Sequence, residues 1–216
     1  MCGRYVSREQ AAIEREYNIR VRNPFERVYN AAPSMQLPVI RSGEALPMRW
    51  GLVPGWWSRS DLPSATINAR SEEAAAKPMW RTAVRHARCL VPALGWYEWQ
   101  TGPGGKRPHF IHAAQMAGLS IAGLWSEWKD PAGETQLSFA ILTRAASPAL
   151  KALNHRMPVV LAPGAFENWL SSWSSNHAAR LAEHVAAAAG DFEYYPVSTY
   201  VNAPRNQGER CIERAG

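Results

Sequence analysis

The chain has 216 residues, 46% hydrophobic and 19% charged, which is globular composition with apolar side chains enough for a core. No apolar run reaches the ~20 residues that span a bilayer, and MCGRYVSREQ at the start lacks an apolar signal core, so the expectation is a soluble, cytoplasmic protein without a membrane partner. Lysine plus arginine is 24 against 18 acidic residues, a net charge of +6, and 20 of the 24 are arginine, whose planar fork suits phosphate; an anionic partner and a merely solvated basic surface both fit that balance.

In chain order, a short strand is expected at Cys2–Val6, then a helix opened by a capping box of Ser7 and Gln10 ahead of Ala11, Ala12, Ile13 and Tyr17. Strands follow at Gln36–Arg41 and Leu46–Val53, and a helix over Ser71–His86 interrupted near Pro78. The middle of the chain reads as strands Arg88–Leu94, Trp96–Gln100, Arg107–Ala113, Leu119–Trp128 and Gln136–Thr143, with hairpin turns at GPGG (102–105) and DPAGE (130–134). Helices are expected after Pro163 and after Ser174, the second running to Ala189, and a last strand at Phe192–Val197. Strands crowd the centre and helices lie outside them, which is the α+β pattern, one compact mixed-β domain over 1–216 with flanking helices.

Cys2, Cys89 and Cys211 lie far apart without a CxxC pair, so a disulfide framework is not expected and any cysteine that matters acts as a thiol. His109 and His112 fall on opposite faces of a strand, and His86-x-x-Cys89 lacks a second ligand pair, so neither a metal site nor a cofactor is expected. Cys2 is chemically distinct if Met1 is removed: the new terminus carries an amine and a thiol on one residue, and the amine, with a reference pKa of about 7.7–8.0, is partly neutral near pH 7. Such a group condenses with an aldehyde and then closes a thiazolidine ring.

Collinear with Cys2 run MCGRY (1–5), NAAP (30–33), WGLVPGWW (50–57), INARSE (67–72), CLVPALGWYEW (89–99), AGLW (122–125) and HRMPVVL (155–161). In order and spacing these segments resemble the SRAP family (SOS-response-associated peptidase) of abasic-site sensors, over nearly the whole chain. The resemblance implies one barrel-like SRAP domain that bonds covalently to abasic sites in single-stranded DNA, as a monomer associated with the nucleoid during repair, with autopeptidase activity. It implies Cys2 as nucleophile, Asn68 to position the terminus and the sugar, and Glu98 as acid and base. It implies Arg4, Arg70 and Arg156 as phosphate contacts, Trp56, Trp57 and Trp99 as wedge and stacking surfaces, and Pro33 and Thr143 lining the DNA channel. Where the family pattern has His-x-Arg-Met-Pro, this chain has Asn154 in the first position and His155 one residue later. His155 is expected to take the histidine's role; the plain alternative is that His155 is an ordinary surface residue and Glu98 handles the proton transfers, with Asn154 only orienting the sugar.

The residues support these roles in their own chemistry. Glu98 between Tyr97 and Trp99 is set for desolvation, which raises a carboxyl pKa; a solvent-facing strand residue is the plain alternative. Asn68 offers an acceptor and donors, or ordinary turn chemistry. Trp56–Trp57 after Pro54-Gly55 cannot easily bury both rings and suits base stacking, whereas Trp50, Trp125 and Trp169 are expected in the core. Two rival readings stand beside this one: a thiol peptidase with Cys2 as nucleophile and His155 as base, and a single-strand binder without covalent chemistry.

Overall fold

The computed structural model describes residues 2–22, 24–59, 61–64, 66–114, 118–188 and 191–215. In chain order its strands are β1 (Tyr5–Ser7), β2 (Gln36–Arg41), β3 (Glu44–Trp50), β4 (Asn68–Arg70), β5 (Arg88–Gly102), β6 (Gly105–Ala113), β7 (Leu119–Lys129), β8 (Thr135–Ala145), β9 (Arg156–Pro158), β10 (Val160–Leu161) and β11 (Phe192–Pro196). The helices are α1 (Gln10–Tyr17), α2 (Ser71–Ala74), α3 (Pro78–His86), α4 (Phe166–Leu170) and α5 (His177–Ala186).

Five strands close into a ring. β5 pairs with β7, β7 with β8, β8 with β3, β3 with β2, and β2 returns to β5 through Ile40 and Leu90. Only the β3–β8 link in this ring is parallel. Side chains alternate across a strand, so each of these strands feeds two cores. Leu37, Val39, Met48, Trp50, Cys89, Val91, Ile121, Phe139 and Ile141 form one cluster, drawn from all five strands and therefore inside the barrel. Their neighbours Ile40, Leu90, Ala122, Leu124, Ala140 and Leu142 face outward beneath Ile13, Val84, Trp169 and Leu181 of the helices. The fold is α+β, as the sequence pattern implied, and barrel-like, as the family resemblance implied. No helix among the described residues is long and apolar enough to cross a membrane.

Several expected boundaries move. Arg88–Leu94 and Trp96–Gln100 are one fifteen-residue strand, because Gly95 does not break it. A Cβ there would collide with the Ile111 carbonyl and the Phe110 ring, so the glycine permits close approach of β6. The capping box does not form: Ser7 belongs to β1, its Oγ accepts the Val28 amide, and α1 starts at Gln10 without a side-chain cap. The first strand is Tyr5–Ser7, leaving Cys2 in the segment that leads into it. Pro78 sits at the first turn of α3, where its missing N–H costs nothing. After Pro163 a single 3-10 turn precedes the five-residue α4. The helix expected to run to Ala189 ends at Ala186, and Ala189 lies outside the described residues. Trp50 and Trp169 are fully buried, while Trp125 is half-buried under the Arg41 guanidinium, 4.2 Å from its ring centroid.

Arginine is used inside the fold as well as outside. Arg88 is 6% exposed and donates to the carbonyls of Val84, Arg85, Trp169 and Ser171, closing the end of α3 onto α4. Burial, with Arg180 nearby, brings its pKa down to about 10. Part of the arginine excess is thus structural.

Candidate functional site around Cys2

The register Tyr5↔Trp96, with the Tyr97 amide donating to the Arg4 carbonyl at 3.0 Å, lays the start of the chain along β5 next to Glu98. Cys2 is fully buried in the barrel-interior cluster. Burial raises its thiol pKa strongly, and the charge of Glu98 raises it further, so the sulfur keeps its proton. On the other side, Asn68 opens β4, which β8 holds in parallel register, and its Nδ2 donates to the Cys2 carbonyl at 2.8 Å. The Asn68 Oδ1 is buried and has no hydrogen-bond partner among the described residues, an acceptor beside the Cys2 segment.

Glu98 is 5% exposed, which removes the solvent-facing alternative. Burial raises its pKa, and a hydrogen bond from Asn154 offsets part of that rise. Asn154 Nδ2 donates to Glu98 Oε2 at 2.8 Å, while its Oδ1 accepts the Arg156 amide at 3.1 Å. Gly3, Arg4, Glu98, Trp99, Lys106, Asn154 and Asn202 line a cleft of about 580 Å³. The structure therefore gathers Cys2, Asn68, Glu98 and Asn154.

It does not bring in His155. That residue is exposed, in the bend just before β9, and does not line the cleft. Of the two residues, it is Asn154 and not His155 that stands at Glu98, the arrangement of the alternative reading.

The expected DNA contacts divide. Arg4 is tied down, with Nη1 donating to Asn30 Oδ1 (2.7 Å) and the Val201 carbonyl (3.0 Å), and Nη2 to the Asn202 carbonyl (3.3 Å). Its guanidinium lies 5.8 Å from the Trp99 ring centroid, and Trp99 Nε1 donates to Asn202 Oδ1 at 2.8 Å. Arg156 is held bidentately by Glu72 (2.7 and 2.8 Å) and also donates to the carbonyl and hydroxyl of Thr143. Thr143 itself is fully buried, so it supports Arg156 from below and lines no surface, contrary to expectation. Arg70 is exposed beside Glu73 at 3.8 Å. Pro33 is exposed, Trp56 is 56% exposed and Trp57 is half-buried, its carbonyl accepting from Trp128 Nε1. Neither tryptophan lines the Cys2 cleft; Trp56 borders a separate apolar hollow with Leu52, Met79 and Trp125.

Four residues were missed. Asn30 and Glu72 stand inside quoted motifs, but their partners, the 201–206 segment and Arg156, come from distant elements. Lys106 and Asn202 belong to no motif and are visible only as cleft walls. The buried His109 and His112 on β6 pack on the Tyr194 and Tyr195 rings.

Against known proteins, the family model described as SOS response associated peptidase (SRAP) matches residues 1–204. The chain is 30% identical to the abasic site processing protein YedK of Escherichia coli (strain K12), with 99% of each chain covered. It is 31% identical to the abasic site processing protein YoqW of Bacillus subtilis (strain 168), again with 99% of each covered. To the abasic site processing protein HMCES of Gallus gallus it is 31% identical, 85% of this chain matching 65% of that one. Among solved structures, a Bacteroides thetaiotaomicron protein shares the fold at a TM-score of 0.88 and 24% identity, covering 99% of this chain and 100% of the other.

Proposed function

Because the chain belongs to the SOS response associated peptidase family, we propose that it processes abasic sites in single-stranded DNA by forming a thiazolidine crosslink through Cys2 after loss of Met1. The observation that carries the reading is the convergence of Asn68 and the raised-pKa carboxyl of Glu98 on the segment that begins with Cys2. The relatives named as abasic site processing proteins, matched over their full length in two cases, supply the substrate class.

The chemistry balances on these residues. Removal of Met1 turns the Cys2 peptide nitrogen into an amine, which adds to the C1′ aldehyde of the ring-opened sugar to give a carbinolamine. Protonated Glu98 gives its proton to the carbinolamine hydroxyl, water leaves, and an iminium forms. The Glu98 carboxylate then takes the thiol proton as the sulfur adds to the iminium carbon, closing the ring and regenerating the acid. One water is lost in total. General acid and base catalysis of this kind is worth about 10²–10⁴ in rate. Asn68 orients the terminus through the Cys2 carbonyl and keeps Oδ1 for the sugar hydroxyl or the amine. In the same reading, Arg70 and Arg156 meet phosphates, and Trp56 with Trp57 stacks on bases. Attack of the Cys2 sulfur on the Met1 carbonyl would break the Met1–Cys2 peptide bond, with the thiol proton passing to the departing Cys2 amine. Water then hydrolyses the thioester, releasing Met1 and regenerating the thiol, which accounts for the peptidase in the family's description.

The test is intact-mass analysis of the mature protein mixed with a single-stranded oligonucleotide bearing one abasic site. The expected product weighs the sum of the two less one water, and Cys2→Ala forms none while still binding the strand. An adduct undiminished in Cys2→Ala, or none from a chain whose N-terminus is Cys2, overturns the mechanism. Cleavage of unrelated peptides would favour the thiol-peptidase reading instead.

A further inference from the structure

Each arginine expected to meet phosphate already has a partner in this structure: Arg4 has Asn30 and the 201–202 carbonyls, Arg70 has Glu73, and Arg156 has Glu72 and Thr143. Lys106 differs. It is exposed, lines the cleft beside Glu98, and has neither an ion pair nor a side-chain hydrogen bond among the described residues. Its place follows from the β5–β6 hairpin. Thr101 faces Lys106 and Trp99 faces Pro108 across the ladder; directly paired residues share a face, as do residues two apart. Lys106 and Trp99 therefore stand on the same face of the hairpin.

Trp99 is fixed as a platform: its Nε1 is anchored on Asn202, and Arg4 lies over the ring. A fixed ring flanked by a free cation is the pairing that single-stranded nucleic acid requires, a base on the ring and the adjoining phosphate on the charge. We propose that Lys106 is a phosphate contact, the cation of a nucleotide subsite whose base stacks on Trp99, on the wall of the cleft that holds Glu98. The inference rests on the proposed function, since it takes the cleft to receive DNA. It adds a contact outside the motifs through which the chain resembles its family. A lysine suits this position because a point charge on a flexible stem follows a mobile backbone without fixed geometry.

The salt dependence of binding isolates this contact. Each phosphate neutralised on a single strand contributes about 0.7 to the slope of log K against log salt. The measurement is anisotropy of a labelled, undamaged single-stranded oligonucleotide between about 50 and 200 mM salt, so that no covalent step intervenes. Lys106→Ala should lower the slope by about 0.7, and Lys106→Arg should keep it. Arg15→Ala serves as the control, an exposed charge on α1, which packs on Ser120 and Phe166, away from the cleft walls. An unchanged slope in Lys106→Ala overturns the proposal, and so does an equal fall in Arg15→Ala, which would reflect net charge alone. If the unsubstituted chain binds no single-stranded DNA at all, it is the proposed function that fails.

Discussion

Replacing Asn154 with alanine removes the Nδ2 donor that lies 2.8 Å from Glu98 Oε2, beside a carboxyl only 5% exposed. A hydrogen bond to a charged group is worth about 1.5–3 kcal/mol, and a neutral one about 0.5–1.5 kcal/mol. The loss is therefore larger when Glu98 is ionised, and the difference is about 1 kcal/mol. The Oδ1 bond to the Arg156 amide is lost as well, at a cost that does not change with pH. The sign of the pH effect follows from linkage. Burial raises the Glu98 pKa, so the native state holds this proton more tightly than the unfolded chain does. Its contribution to stability is complete below the ordinary glutamate range and is lost as pH rises through the raised native value. Asn154 lowers that native value, so Asn154→Ala raises it further and steepens the decline. Urea unfolding followed by tryptophan fluorescence from about pH 5 to 9 should show the destabilisation growing with pH. The limb of the crosslinking rate profile governed by Glu98 should move to higher pH. His155→Ala, at an exposed position, should match the unsubstituted protein within about 0.5 kcal/mol and keep its rate profile. A destabilisation by Asn154→Ala that is flat in pH, or a rate profile moved by His155→Ala and not by Asn154→Ala, refutes the pairing of Asn154 with Glu98.

Glu72 occupies the outer edge of the Arg156 guanidinium as a phosphate would, while Thr143 holds it from within. Glu72→Gln should therefore tighten single-strand binding and steepen the salt slope by about 0.7; weaker binding would make Glu72 a support for Arg156. Trp56, 56% exposed, should lose about 1–3 kcal/mol of single-strand affinity as Trp56→Ala. Its folding stability should change by no more than about 0.5 kcal/mol, and a parallel loss of stability in urea melts would make the ring a packing group.

What the sequence discloses depends on how local the cause is. β2 appears at its expected bounds because Ser42 and Gly43, both at positive φ, make the tight turn that sets its register against β3. Pro78 marks the start of α3 for an equally local reason. Gly95 reads as punctuation in the sequence because the close approach that requires it comes from β6, a neighbour the flanking residues do not disclose. The same divide runs through the site. Cys2, Asn68 and Glu98 were legible as chemical types within motifs, and the barrel does converge them. Whether Asn154 or His155 turns toward Glu98 is decided in the bend just before β9, where no strand periodicity applies. Arg4 and Arg156 looked like free cations because their acceptors, Asn30 and Glu72, lie 26 and 84 positions away in sequence.

The burial of the thiol bears on the order of the proposed steps. A free thiolate is the more reactive nucleophile and would add to the aldehyde first, giving a hemithioacetal that falls apart. Burial, with the charge of Glu98 adding to it, holds the Cys2 sulfur protonated, whereas an α-amine has an ordinary pKa of about 7.7–8.0 and needs no activation near neutrality. The amine therefore attacks first. Glu98 must then be an acid before it is a base, and its raised pKa supplies the proton that the carbinolamine hydroxyl needs in order to leave. Once that proton is spent, the carboxylate has the iminium charge for company and the thiol proton within its field, so base action follows from acid action at the same group. A carboxyl of ordinary pKa holds less of the acid form near pH 7 than a raised one, and so less of the proton with which this sequence begins. Asn154 acts on the balance between the halves: its amide favours the carboxylate, while burial favours the acid form.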